Sequence, residues 1–334
     1  MIRTVIGLLA LVTIGASGGW AGGPTPDPAS RLHAAVFLVR GSVVGSHVGA
    51  FGPFVRTADT AWQQLSRSNL ITFGFGAWTN GPARRLYVAA GNGLHRSTDD
   101  GASWKIVTGW RTMEITSVLP DPQDGKSLLV TSPWGVYGTT DDGATWQERM
   151  KGMRRWYTQS LVEDVRNNRT VYVVAEDGVY LSTDRAKSWT LLPGSTAPVT
   201  AFLQLPGHPE TFLLGLEDKG IRITTDGGRT WRNATTPFAT SIYGFGSSRD
   251  GRTVFAGGWG SALWRSTDGG NTWTSAGSID GVDVVFCFLV DANDADHVFV
   301  GTDGNGVYES IDGGMHWTFA GLRGGKIKHL FMYP

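Results

Sequence analysis

The chain has 334 residues and a formal net charge of zero, with 29 lysines and arginines against 29 aspartates and glutamates. It carries no basic stripe to hold a phosphate backbone, which argues against nucleic acid as the main partner. Forty-seven glycines, few charges and a high aromatic share suit many short strands joined by tight turns.

The first residues read as an export signal. Arg3 supplies a positive start, and Val5 to Ile14 form an apolar run too short to span a bilayer as a helix. Gly19 and Ala21 are the small pair of a cleavage site, so residues 1–21 are assigned to a signal peptide, with an uncleaved anchor as the alternative. This predicts a periplasmic or extracellular protein without a membrane span after cleavage. Residues 22–31, with Pro24, Pro26 and Pro28, read as a lead-in segment, and residues 32–334 as one domain.

Within that domain tryptophan recurs at Trp62, Trp104, Trp146, Trp189, Trp231, Trp273 and Trp317, in steps of 42, 42, 43, 42, 42 and 44 residues. A short phrase surrounds six of them. It runs Ser97-Thr-Asp-Asp-Gly-Ala-Ser-Trp104, and later Ser266-Thr-Asp-Gly-Gly-Asn-Thr-Trp273. A fixed period of this length marks a repeat architecture and fits propeller blades. Residues 115–150 read as one blade: strands at 115–119, 127–131, 136–139 and 145–149, with polar turns between them. The expectation is an all-β, seven-bladed β-propeller of four-stranded antiparallel blades. The copy at Trp62 lacks the turn glycines. The closing strand is expected at 327–333, paired with the N-terminal blade, although residues 34–39 could also serve as that blade's first strand.

The phrase Ser/Thr-x-Asp-x-Gly-x-Ser/Thr-Trp resembles the Asp-box, or bacterial neuraminidase repeat. Asp-box propellers include sialidases, xyloglucan-cleaving enzymes, sortilin-type receptors and the photosystem II stability/assembly factor family. The resemblance covers residues 32–334. Its aspartates, Asp99, Asp141, Asp184, Asp226, Asp268 and Asp312, are assigned a structural role, accepting hydrogen bonds from their own turns. Spread around a ring, they cannot converge on a substrate. The third copy places Arg185, Ala186 and Lys187 where glycine is usual, which predicts a reshaped hairpin.

Strand order predicts two faces. The repeated hairpins share one face with the turns between first and second strands. The second-to-third loops share the other with the links between blades. On that link face the densest recognition chemistry is Trp110, Arg111, Arg154, Arg155, Trp156 and Tyr157, joined by Trp134 and Trp259. Aromatic side chains beside arginines supply contact area and directional hydrogen bonds.

Enzyme readings find weaker support. A sialidase needs three convergent arginines and a tyrosine–glutamate pair, for which Arg111, Arg154, Arg155, Arg323, Tyr243 and Glu217 are the candidates. The Arg-Ile-Pro motif of sialidases is missing. A xyloglucanase-like pair would come from Glu176, Asp177, Glu217, Asp218 and Asp303, although in that family the cleft lies between two propellers. The seven histidines show no ligand spacing, and Cys287 in an apolar run reads as a buried thiol, so no catalytic residue, metal or cofactor is assigned. The sequence therefore reads as an exported, monomeric, non-catalytic scaffold, similar to the assembly-factor family, that binds a protein or peptide through the link face. A glycoside hydrolase or glycan-binding propeller is the alternative.

Overall fold

The computed structural model describes residues 31–39, 50–66, 69–109, 112–237, 240–260 and 262–333. The segments assigned to the signal peptide and most of the lead-in fall outside them. The described residues form seven four-stranded antiparallel sheets and no helix, a seven-bladed β-propeller.

Blades 2 to 7 each take four consecutive strands. Blade 2 uses 72–80, 83–90, 93–97 and 105–106; blade 3 uses 117–120, 128–132, 135–139 and 147–148. Blade 4 uses 158–164, 167–175, 178–182 and 190–191, and blade 5 uses 199–205, 208–216, 220–224 and 232–233. Blade 6 uses 242–247, 254–258, 262–266 and 274–278, and blade 7 uses 285–290, 298–302, 307–310 and 318–321. Second strands such as Leu128–Ser132 and Val298–Thr302 are buried along their length, because both faces of a blade meet a neighbour.

Blade 1 is discontinuous. Its order is Gly325–Tyr333, Arg31–Val39, Gly52–Arg56 and Trp62–Gln64, so the C-terminal strand is innermost and residues 31–39 are second. Both candidate closing segments thus belong to one blade, paired with each other at His33↔Phe331 and Ala34↔Leu330. Closure thus completes the fourth strand of blade 1 with the other end of the chain.

The repeated phrase folds the same way in its six copies, with the His316 ring in the place of the second hydroxyl in the last. In blade 3, Thr139 Oγ1 donates to Asp141 Oδ1 at 2.6 Å, and Asp141 accepts from the Thr145 amide at 2.9 Å and its hydroxyl at 2.6 Å. These bonds hold the Asp141 carboxyl down at about 2, and the equivalent bonds do the same for Asp99. The hairpin also ties to the first-to-second turn of its blade, as in Asp142 N to Lys126 O at 2.9 Å. The third copy is not reshaped, contrary to expectation. Arg185 and Ala186 adopt φ of 55° and 64° without glycine, and Ser182, Asp184 and Ser188 make the usual bonds. Arg185 also reaches Asp121 of blade 3 at 2.9 Å and Glu163 at 3.0 Å. The position of Arg185 is left-handed without glycine in other copies too, at Asp100 and Asp142 with φ of 54° and 63°.

The recurring tryptophans join blades. Nε1 of Trp104, Trp146, Trp189 and Trp231 donates to Leu65, Val107, Arg149 and Pro193 of the preceding blade, at 2.7 to 3.1 Å. Trp317 bonds Ala276, and Trp62 bonds Ala320 of blade 7, so the degenerate first copy keeps its joint across the closure. Trp273 differs, donating to Gly270 of its own turn. There the joint to blade 5 is a backbone bridge, Thr235 to Thr272. Cys287 is buried, as the apolar run predicts.

Candidate functional site

The link face is built from short loops whose backbones are held by hydrogen bonds, so its side chains are positioned from below. In blade 3 the loop between second and third strands is a two-residue turn of Pro133 and Trp134, with Trp134 N donating to Ser132 Oγ at 3.1 Å. The indole is 60% exposed among the described residues. The following link, residues 149–157, is pinned at both ends. Met153 N bonds Met150 O at 3.0 Å, Arg154 N bonds Tyr180 Oη at 3.3 Å, and Glu176 N bonds Tyr157 O at 3.1 Å. Tyr180 in turn donates to Asp177 Oδ2 at 2.9 Å.

This scaffold leaves Arg154 and Arg155 exposed, and neither makes an ion pair among the described residues. Trp156 beside them is also 60% exposed. Tyr157 is half-buried, and burial pushes its hydroxyl upward, with Glu114 and Glu176 adding to the shift. Trp134, Arg154, Arg155, Trp156 and Tyr157 therefore occupy one sector, which Thr158 Oγ1 ties to Ser132 O at 2.8 Å. Trp259 stands apart on blade 6, 57% exposed, its amide bonded to Ser241 O. Trp110 and Arg111 lie outside the described residues.

The residues weighed for hydrolysis distribute differently. Glu176, Glu217 and Asp218 are exposed at loop tips of blades 4 and 5, and Asp303 is paired with Lys326 at 2.8 Å. Tyr243 is buried against Phe286, ring centroids 6.1 Å apart, rather than presented for attack. Arg323 lies over the Phe319 ring at 4.4 Å.

Sequence reasoning missed a layer at the axial end of this face. Near its start each innermost strand of blades 2, 4, 5, 6, 7 and 1 carries a β-bulge, and the extra residues are Phe73, Gln159, Thr200, Tyr243, Phe286 and Lys328. Thr116 holds the equivalent place in blade 3, its amide bonding Thr131 O while Ser117 pairs with Thr131. Bulges re-aim a side chain out of the regular alternation. The available signal was the period itself, since Lys328 follows Phe286 by one repeat. Among the described residues no cluster of histidine, cysteine and carboxylate side chains has the form of a metal site.

No protein-family model matches the chain, and no curated protein matches it in sequence. Solved structures do match. Similar folds include the GH74 xyloglucanase from Xanthomonas campestris, with TM-score 0.66 and 18% identity over 90% of this chain and 53% of that one. An ancestral GH74 enzyme matches with TM-score 0.61 and 17% identity, over 83% of this chain and 40% of its own. The chain thus spans about half the length of these enzymes or less. The structure described as YCF48 bound to D1 peptide matches with TM-score 0.56 and 14% identity, over 74% of this chain and 81% of that one. At these identities the likeness is one of fold.

Proposed function

We propose that the protein is an exported, monomeric, non-catalytic propeller scaffold that binds a protein or peptide partner through its link face. The repeated phrases act as Asp-boxes, structural elements of the opposite face. Contact falls to Arg154, Arg155, Trp156, Tyr157 and Trp134, with Trp259 as an outlying aromatic; Trp110 and Arg111, outside the described residues, join them on the sequence reading alone. The observation that carries this reading is two exposed guanidiniums without an ion pair among the described residues, in one sector with two indoles that are each 60% exposed. Tryptophan and arginine dominate binding energy in protein interfaces, because each combines large area with directional donors. The similar fold of the structure described as YCF48 bound to D1 peptide, matched over 81% of its chain, supports a peptide as the ligand class.

The test is capture from the envelope of the source cell with mature protein, using the Arg154→Ala/Arg155→Ala double variant as control. A protein recovered by the first and lost with the second supports the reading. Equal recovery by both removes this sector from the contact.

A glycan-active propeller is the second reading. It is favoured by the exposed Trp134 and Trp259 together with the exposed carboxylates Glu176, Glu217 and Asp218. Binding or hydrolysis of xyloglucan by the purified protein, with no partner recovered in the capture experiment, would replace the scaffold reading with this one.

A further inference from the structure

Lys328 is a buried cation without an anion. The side chain is 5% exposed, and no carboxylate pairs with it among the described residues. Its Nζ lies 3.2 Å from the centroid of the Phe286 ring and 5.9 Å from that of Phe37. Cation–π attraction offsets part of the desolvation that an isolated ammonium suffers, but not all of it. The acid that acts on it, Asp303, is already paired with Lys326. Burial accordingly holds the amine down to about 7.

The surroundings define a ligand. Tyr243, Phe286, Lys328 and Phe73 follow one another in the bulge layer, and Phe37 meets Phe73 with ring centroids 5.3 Å apart. Each of the four keeps 5–6% exposure, and each is the bulge residue of an innermost strand. Across the layer Gln159 Oε1 is buried without a hydrogen-bond partner among the described residues, and Thr200 turns its hydroxyl to Ile242 O at 2.5 Å. The layer is thus apolar and aromatic over one half, with one uncompensated positive charge and one orphan acceptor.

We propose that this layer is a binding site for a small apolar monocarboxylate, the carboxylate pairing with Lys328 and the hydrocarbon body lying against Tyr243, Phe286 and Phe73. A buried charge pair of this kind depends on both partners, since either one left alone stays desolvated. The site is independent of the protein-partner reading. It also carries a proton linkage. The carboxylate stabilises the ammonium, so binding above neutral pH takes up a proton and weakens as pH rises. The other ionisable groups acting on Lys328 are Asp303, Lys326 and the Cys287 thiol.

Titration calorimetry with phenylacetate, on the whole protein at pH 6.5 and 8.5 in two buffers of different ionisation heat, tests this. Saturable binding is expected, with uptake approaching one proton at pH 8.5 and little at 6.5. Phenylacetamide, the neutral isostere, should bind about thirty-fold more weakly or worse. Lys328→Met should lose phenylacetate affinity by a similar factor while retaining its circular dichroism spectrum. The proposal is overturned if phenylacetate shows no saturable binding at millimolar concentration, or if phenylacetamide binds as well. It is also overturned if folded Lys328→Met keeps the affinity. The amide comparison needs no variant, so it decides the matter even if Lys328→Met does not fold.

Discussion

Acid is expected to open the closing blade through His33. This side chain is buried in the second strand of blade 1, paired with Phe331, and its Nδ1 lies 2.9 Å from Arg31 O. Its ring meets Phe75 and Phe331 at centroid distances of 5.6 and 6.4 Å. Burial lowers its pKa from 6.5 to about 4. The folded protein therefore keeps it neutral where the unfolded chain binds a proton. The stabilisation is complete above pH 6.5 and is lost as pH falls from 6.5 towards 4. At about 1.4 kcal/mol per pH unit, that window corresponds to about 3 kcal/mol. The phrase aspartates, whose carboxyls are held near 2 in Asp99, Asp141 and Asp312, lose their contribution as pH falls through the ordinary carboxylate range towards 2, so they enter only at the acid end of this window and do so in wild type and His33 variant alike. Lys328 acts above about 7. Urea unfolding followed by tryptophan fluorescence at pH 4.0 to 8.0 should show the loss in the wild type. His33→Phe, which keeps the aromatic contacts and cannot titrate, should show a loss smaller by about that amount. Parallel curves for the two proteins would refute the assignment.

Three further outcomes follow from the same geometry. Gly143→Ala should destabilise by about 3 kcal/mol in chemical denaturation, because φ is 85° and the added carbon would stand 2.6 Å from Val107 O, whereas Gly281→Ala, with φ of 73° and open space, should cost about 1 kcal/mol. Trp189→Phe should cost about 1–2 kcal/mol by leaving the Arg149 carbonyl without its 2.7 Å donor, measured as a fall in denaturation midpoint. Arg154→Ala/Arg155→Ala should leave stability within about 0.5 kcal/mol of wild type, since both side chains are exposed and unpaired; a larger loss would mean that they hold the link in place.

The ring was legible because repetition multiplies a weak local signal. One Ser-Thr-Asp-Asp-Gly phrase is a turn, but six at a step of 42 to 44 residues fix blade number, strand order and the face each loop occupies. Closure was legible only as two candidate segments, 34–39 and 327–333, and only pairing shows that one blade takes both. The third copy misled because the glycine rule was applied to composition alone, whereas Arg185 and Ala186 take the left-handed φ that the turn's side-chain bonds impose. The exposed sector of Arg154, Arg155 and Trp156 was readable as loop chemistry. The Lys328 layer was not, because a bulge shifts a side chain out of the period-two alternation that strand reading assumes.

The discontinuous blade gives the chain a particular order of assembly. Six blades draw on contiguous sequence and can form from near neighbours, while the seventh waits for segments almost 300 residues apart to meet. Closing a flexible loop of that length carries an entropy of about 5 kcal/mol. By then most of it has been met by the six stacked blades, which bring the two ends together in an arc. Release of the last strand is consequently a ring-opening event that exposes two strand edges at once, and not the fraying of a terminus. The Trp62 bond to Ala320 lies on the outer rim of the same seam, so opening must break an inner ladder and an outer clasp together. A seam fastened at both radii makes the N-terminal blade a cooperative unit, whose hydrogen exchange should follow unfolding of the whole ring.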